Sequence, residues 1–305
     1  MQRVEGKIPS TCGLTDLHTV LWLPEGEPVG VVQIVHGMQE YLLRYDYMAQ
    51  RLCERGFAVC GHDHLGHGGS LIDGTPGYFG EEHPTDTLVA DIHAVRQAFE
   101  KRFPGVPYFI FGHSMGSFLT RVYLTEHAAG LSGAIICGTS GPVPGAGLVR
   151  RYLRLLWKIH GGRYVDRRLA DAVSARSNRR FASEGRNAWL SRVPQVHEEY
   201  NADPQTQFYF SVSALWVLMD SLCRISRRDW AEKLPQALPI LLTSGADDPI
   251  GQFGDGVREV YDRMMRRGFD DLDIKLYYDC RHELANEENR DEIIADWAAW
   301  LEEKI

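Results

Sequence analysis

Nowhere in its 305 residues does this chain hold the ~20 consecutive apolar residues that a membrane-spanning helix needs. The richest run, residues 208–219 (FYFSVSALWVLM), is too short and carries two serines. The opening MQRVEGKIPS lacks the apolar core of a secretory signal, so a cytoplasmic location is expected. Cysteine is sparse. Cys12, Cys53, Cys60, Cys137, Cys223 and Cys280 are scattered with no C-x-x-C pair, which argues against a disulfide framework and for free thiols in a reducing compartment. Cys60 and Cys137 sit in apolar runs and read as small core residues. Basic charge is not in excess either: 33 Lys and Arg stand against 41 Asp and Glu, a net charge of −8. That balance gives no electrostatic reason for nucleic acid or an anionic surface as a partner. Internal repeats and low-complexity segments are missing as well.

What is present is a rhythm. Short apolar runs end in glycine-rich turns: 29–35 leads into HGM, 57–63 into HLGHGGS, 106–112 into HSMGS and 131–138 into TSGPVPG, while 238–245 and 272–278 follow late in the chain. Continuous β-branched and aromatic runs suit strands buried on both faces of a parallel sheet. Helical patterns lie between them. Residues 45–55 place Tyr45, Met48 and Leu52 on one face and end at Gly56; 86–103 stripes Val89, Ile92, Val95 and Phe99 and stops at Pro104. Further helices are predicted over 114–127, 257–267 and 287–304. The alternation predicts an α/β fold with a mostly parallel central sheet flanked by helices, its ligand site beyond the carboxyl ends of the strands. Residues 141–230 break the rhythm, being arginine-rich without clear strands, and are expected to form a mainly helical cap on a core made of 1–140 and 231–305.

Residues 112–116 spell G-x-S-x-G, with Ser114 at its centre, after a predicted strand and before a predicted helix. In that setting a sharp turn exposes a serine hydroxyl above the sheet, as in the α/β-hydrolase fold. A hydroxyl is a weak nucleophile and needs a base held by a third group. In chain order serine, acid, histidine, the partners are at hand. GADDPIG puts Asp247 and Asp248 just after a strand, and His282 follows the next strand in YYDCRHELANE. Asp248, three residues past Gly245, is the preferred acid, with Asp247 as the alternative.

Ester hydrolysis builds negative charge on the carbonyl oxygen, which two fixed backbone N–H groups can stabilise. Met115, after the serine, is one expected donor. Met38, in the His36-Gly37-Met38 turn, is the other, with His36 as a buried brace. His62, His64 and His67 crowd the 61–70 loop as metal ligands would, but Gly66 stands where a zinc-binding hydrolase loop needs an aspartate, so no metal is expected. A hydrogen-bonded support for the oxyanion turn, anchored by Asp63 and the histidines, is the expectation instead.

Together HGMQEYLLRY, DHLGHGGS, GHSMGS, GADDPIG and RHELANE resemble the monoacylglycerol lipase and lysophospholipase branch of the α/β-hydrolases, from about residue 29 onward, with AWLSR (188–192) the matching piece of the insertion. The resemblance implies a serine carboxylesterase with a Ser114–His282–Asp248 triad, Met38 and Met115 as oxyanion donors, and no cofactor. Its small-molecule substrate would be a monoacylglycerol, a lysophospholipid or a similar acyl ester, and the cap would make at most transient contact with membranes or lipid aggregates. The chain departs from the family pattern at Tyr41 and Ser117, neither a triad position. Tyr209, Phe210 and Trp216 are candidate walls of an acyl tunnel, the alternative being that they pack the insertion onto the sheet. Glu198, Glu199 and Asp203 keep open an aminopeptidase that captures a substrate amine, and a non-catalytic binding protein is the third reading.

Overall fold

A computed structural model describes residues 1–305, apart from the side chains of residues 173 and 174. Eight strands, β1 (Gln2–Pro9), β2 (Asp16–Leu23), β3 (Gly30–Val35), β4 (Phe57–His62), β5 (Tyr108–His113), β6 (Gly133–Cys137), β7 (Ile240–Gly245) and β8 (Leu272–Tyr277), make one sheet in the order β1-β2-β4-β3-β5-β6-β7-β8. From β4 across to β8 every pairing is parallel; β1 and β2 add an antiparallel edge. That edge is absent from the apolar-run reading, which starts at residue 29.

Nine α-helices complete the described chain: α1 (Asp46–Glu54), α2 (Pro84–Arg102), α3 (Met115–His127), α4 (Ala146–His160), α5 (Arg167–Asn178), α6 (Pro194–Ala202), α7 (Val212–Ile225), α8 (Asp255–Met265) and α9 (Arg290–Glu302). Strand side chains alternate between two apolar layers, as a period of two demands. Val31 and Val35 of β3 and Ile110 of β5 join α2, α3 and α8 in one layer. Val32, Ile34, Phe109 and Phe111 join α1 and α9 in the other. Both faces are covered, so these strands are apolar throughout.

The chain leaves β3 toward β4 on one side and reaches β5 on the other, so the order of winding reverses between β3 and β5. Loops at such a reversal diverge and open a crevice outside the carboxyl ends of the strands. Between β6 and β7 lie α4 to α7 and no strand among the described residues. No described helix is long and apolar enough to cross a membrane. All six cysteines are free, with Cys60 and Cys137 fully buried.

Candidate active site

Ser114 is the single residue between β5 and α3. It is held at φ 55°, ψ −122°, a region that side chains other than glycine seldom occupy. Backbone bonds hold this conformation. The Ser114 N–H donates to the Cys137 carbonyl at 3.0 Å, and the Ser114 carbonyl accepts from the N–H groups of Ser117 and Phe118 and from the Ser117 hydroxyl at 2.6 Å. Ser117, a departure from the family pattern, thus reinforces the turn. The helix after the serine lies so close to β3 that a Cβ on Gly116 would fall 2.0 Å from the Val35 carbonyl oxygen. Only glycine fits there.

The loops after β7 and β8 bring the acid and the imidazole together. Nδ1 of His282 lies 2.9 Å from Oδ2 of Asp248, both side chains almost wholly buried. Asp248 also accepts from the Ile250 N–H at 2.8 Å and the Ser244 hydroxyl at 3.1 Å. Burial pushes the Asp248 carboxyl up, but the His282 ring and these donors outweigh it and hold the group below the ordinary carboxylate range. Asp247 is a different matter. Its carboxylate is partly exposed and lies 4.0 Å from Arg180, away from the imidazole. The His282 ring packs between His113 (4.7 Å between centroids) and Trp189 (4.8 Å), which fixes its plane.

The turn after β3 is braced from beneath. His36 donates from Nδ1 to the Gly37 carbonyl at 2.8 Å and accepts the His64 N–H at Nε2. His67 accepts the Gln39 N–H at 3.1 Å with Nε2, while its Nδ1 faces the Leu65 carbonyl. Both acceptor roles require neutral rings, and burial holds both below the ordinary histidine pKa, His67 at about 3. Asp63 ties the two loops together through the Leu42 and Gly69 N–H groups and His18. Among the described residues no group of three or more His, Cys, Asp or Glu is arranged to hold a metal. The N–H groups of Met38 and Met115 have no protein acceptor among the described residues, and both residues line the cavity above the sheet.

A buried polar network invisible in the one-dimensional pattern stands behind these loops. Glu40 accepts from the Gly37 N–H, from Tyr45 Oη at 2.8 Å and from His113 at 3.2 Å, while His113 Nε2 faces the His282 carbonyl at 3.2 Å. Arg44 bridges Glu40 to Glu283 with two bonds to the latter, of 2.7 and 2.8 Å. Burial opposes charge on both Glu40 and His113, yet their mutual attraction holds the glutamate far below its ordinary pKa and lifts the imidazole above its own. The network connects the proposed oxyanion turn to the backbone of His282. Its members lie in three separate motifs, Glu40, Arg44 and Tyr45 in the first, His113 in the second and Glu283 in the third, and nothing in their spacing shows that they meet.

Ser114, His282, Met38 and Met115 open onto one cavity of about 1310 Å³. Leu215, Leu218, Met219 and Leu222 of α7 form an apolar wall, at the i, i+3, i+4, i+7 spacing of a single helix face. Of the three aromatic wall residues expected from the sequence, Tyr209 lines the cavity and the other two do not. Phe210 is buried against Phe79 and His67, and Trp216 packs edge-on against Trp157 on another side of α7. Aromatic size singled them out; helix phase turns Trp216 aside, and Phe210 precedes the helix. Glu198, Glu199 and Asp203 are also absent from the cavity wall, and Asp203 is engaged by the Tyr41 hydroxyl at 2.7 Å.

The family model described as serine aminopeptidase, S33, matches residues 26–289. A monoacylglycerol lipase of Mycolicibacterium smegmatis is 26% identical over 291 residues, covering 92% of this chain and 91% of that protein. Among solved structures, a thermostable carboxyl esterase of Bacillus coagulans, determined in complex with glycerol, superposes with a TM-score of 0.93 at 32% identity and covers 99% of both chains. A monoacylglycerol lipase of Paleococcus ferrophilus shares the fold at a TM-score of 0.72 and 22% identity, over 95% of this chain and 99% of that one.

Proposed function

This chain belongs to the serine aminopeptidase S33 family of α/β-hydrolases, and from that premise we propose that it cleaves acyl esters of the monoacylglycerol or lysophospholipid kind through Ser114, His282 and Asp248. It is a carboxylic ester hydrolase. The observation that carries the finer reading is the buried Asp248–His282 pair at 2.9 Å, whose imidazole lines with Ser114 a cavity that has an apolar wall.

In this cycle the Ser114 oxygen attacks the ester carbonyl as His282 Nε2 takes its proton. The negative charge that develops on the carbonyl oxygen meets the N–H groups of Met38 and Met115, each worth about 3–4 kcal/mol of transition-state stabilisation. The C–O bond to the alcohol breaks, and His282 returns the proton to the leaving oxygen. Water, deprotonated by the same imidazole, then attacks the acyl-serine and frees the acid. Asp248 keeps the proton on Nδ1, so that Nε2 is the basic nitrogen, and stabilises the imidazolium. Residues 141–230 act as a cap whose α7 face holds the acyl chain. Aminopeptidase activity would need a carboxylate near the reaction centre to capture the substrate amine. Glu198, Glu199 and Asp203 lie off the cavity, Glu40 and Glu283 in its lining are taken by Arg44, and Asp171 shares the lining with four arginines, which favours the ester reading.

Assaying 1-butyrylglycerol, longer monoacylglycerols and aminoacyl-naphthylamides side by side tests this proposal. The expected result is ester turnover with at least about a hundredfold higher kcat/KM than any amide. Preferred cleavage of the naphthylamides would overturn it.

A further inference from the structure

Four arginines line the cavity that holds Ser114 and His282: Arg176, Arg179, Arg180 and Arg186. In a chain of net charge −8 this is a local reversal of sign. Elsewhere around the site the chain supplies its arginines with carboxylates, as Arg44 has Glu40 and Glu283 and Arg281 has Glu184 at 2.7 Å. Arg176, Arg179 and Arg186 make no ion pair among the described residues, and Arg180 reaches only Asp247, at 4.0 Å. Glu40 and Glu283 also line the cavity but share Arg44, which leaves Asp171 as the one acidic lining residue without a cation among the described residues. Among the described residues the lining therefore carries more unpaired arginine than unpaired carboxylate.

Two of these arginines stand close in the chain to the groups around His282. Arg180 stacks over the Phe253 ring at 4.7 Å and neighbours Asp247, the residue before the Asp248 partner of His282. Arg186 lies three residues before Trp189, whose ring rests on His282 at 4.8 Å and whose backbone N–H is held by Asn178 at 3.1 Å. The Trp189 side chain is about nine-tenths buried and lines the same cavity, so the stretch that carries the arginines also packs the imidazole.

We infer that residues 176–189 form a subsite for an anionic oxygen-bearing group, a phosphate or a carboxylate, on the alcohol portion of the ester, bound by Arg180 and Arg186 with their neighbours Arg176 and Arg179. Guanidinium groups match the paired oxygens of either anion. With the acyl chain against α7, the head group faces the arginines. This inference rests on the ester-hydrolase reading above and names its substrate class.

The test uses the full chain and three butyryl esters short enough to stay monomeric: 1-butyrylglycerol, 1-butyrylglycerol 3-phosphate and O-butyrylglycerate. At low salt kcat/KM for the better anionic ester exceeds that of 1-butyrylglycerol by at least about tenfold, and whichever of the two leads identifies the anion. That preference shrinks as the Debye length falls to about 3 Å near 1 M salt. It drops about tenfold in Arg180→Gln/Arg186→Gln, and Arg180→Lys/Arg186→Lys recovers part of it. A wild-type preference for the neutral ester, or an anionic preference that survives the double glutamine variant, overturns the subsite. So does a double variant that loses binding to anionic phospholipid vesicles with its soluble-ester ratio unchanged, because the arginines would then serve a membrane surface. If no ester of any charge is turned over and no fluorophosphonate adduct forms on Ser114, the parent reading fails instead, so the two failures are distinct.

Discussion

At the carboxyl edge of the sheet, the groups facing the reaction centre are buried and bonded to backbone. Ser114 is locked by Cys137 and Ser117, Asp248 by the Ile250 N–H, and His36 and His67 by peptide groups of neighbouring loops. Across the cavity the material changes. The arginines of α5 and the turn after it are exposed, and α4 presents Leu148, Tyr152, Leu155 and Ile159 to solvent. Reaction geometry is rigid where an error of an ångström costs rate, and long adaptable side chains stand where the substrate varies. On the function proposed above, chemistry belongs to the sheet edge and selection to the helical insertion.

The largest effect that would break this division is catalytic. Asp248→Asn leaves the packing intact but favours the wrong histidine tautomer, so kcat is expected to fall by about 10⁴-fold. Asp247→Asn, next in sequence but turned to Arg180, should stay within about twofold. Steady-state kinetics on a p-nitrophenyl ester decides the matter, and equal losses would contradict the assignment.

Next comes stability at the edge. A Cβ on Gly116 would fall 2.0 Å from the Val35 carbonyl oxygen and 2.4 Å from that of His36, both backbone atoms that cannot step aside cheaply. Gly116→Ala should cost about 3 kcal/mol or more in denaturant unfolding, with activity lost in proportion to the displaced turn.

Acid sharpens the contrast. Burial lowers the pKa values of His36, His62, His64 and His67 in the folded state, His62 and His67 to about 3. Above the unfolded value of about 6.5 neither state binds these protons, and the full stability is present. As the pH falls from there toward 3 the unfolded chain takes up protons that the folded one refuses, so stability is lost across that window. His67→Gln keeps an acceptor for the Gln39 N–H and removes one such proton. It should flatten unfolding free energy against pH by up to about 1.4 kcal/mol per unit.

The smallest effect lies in the insertion. Gly147 is in the first turn of α4, and a methyl group added to it would meet no atom within 4 Å. Gly147→Ala should raise stability by about 0.5 kcal/mol, the opposite sign to Gly116→Ala, as read by thermal unfolding.

How legible each part is in the sequence follows the same division. The central strands announce themselves because both faces are buried, which leaves unbroken runs such as VGVVQIV. β1 is an edge strand whose side chains are nearly all exposed or half-exposed, so QRVEGKIP offers no such run; β2, DLHTVLWL, is interrupted by polar residues. Ser114, Asp248 and His282 stand out because each sits in a short turn after a strand. The network of Glu40, Arg44, Tyr45, His113 and Glu283 does not, since its bonds span up to 239 residues and local spacing carries no trace of them. In 208–219 an apolar run shows burial but not direction. The α7 face toward the cavity is set by helix phase, which selects Leu215, Leu218, Met219 and Leu222 and leaves Trp216 outside.

One measurement bears most directly on the central claim that the sheet edge presents a single activated hydroxyl. Wild-type protein and Ser114→Ala are incubated with an alkyl fluorophosphonate, mapped by peptide mass spectrometry and assayed on the same ester. A single phosphonyl group on the Ser114 peptide, ester turnover lost in step with labelling, and neither label nor turnover in Ser114→Ala is the expected outcome. Labelling at another residue, or turnover that persists once Ser114 is fully modified or replaced, would contradict it.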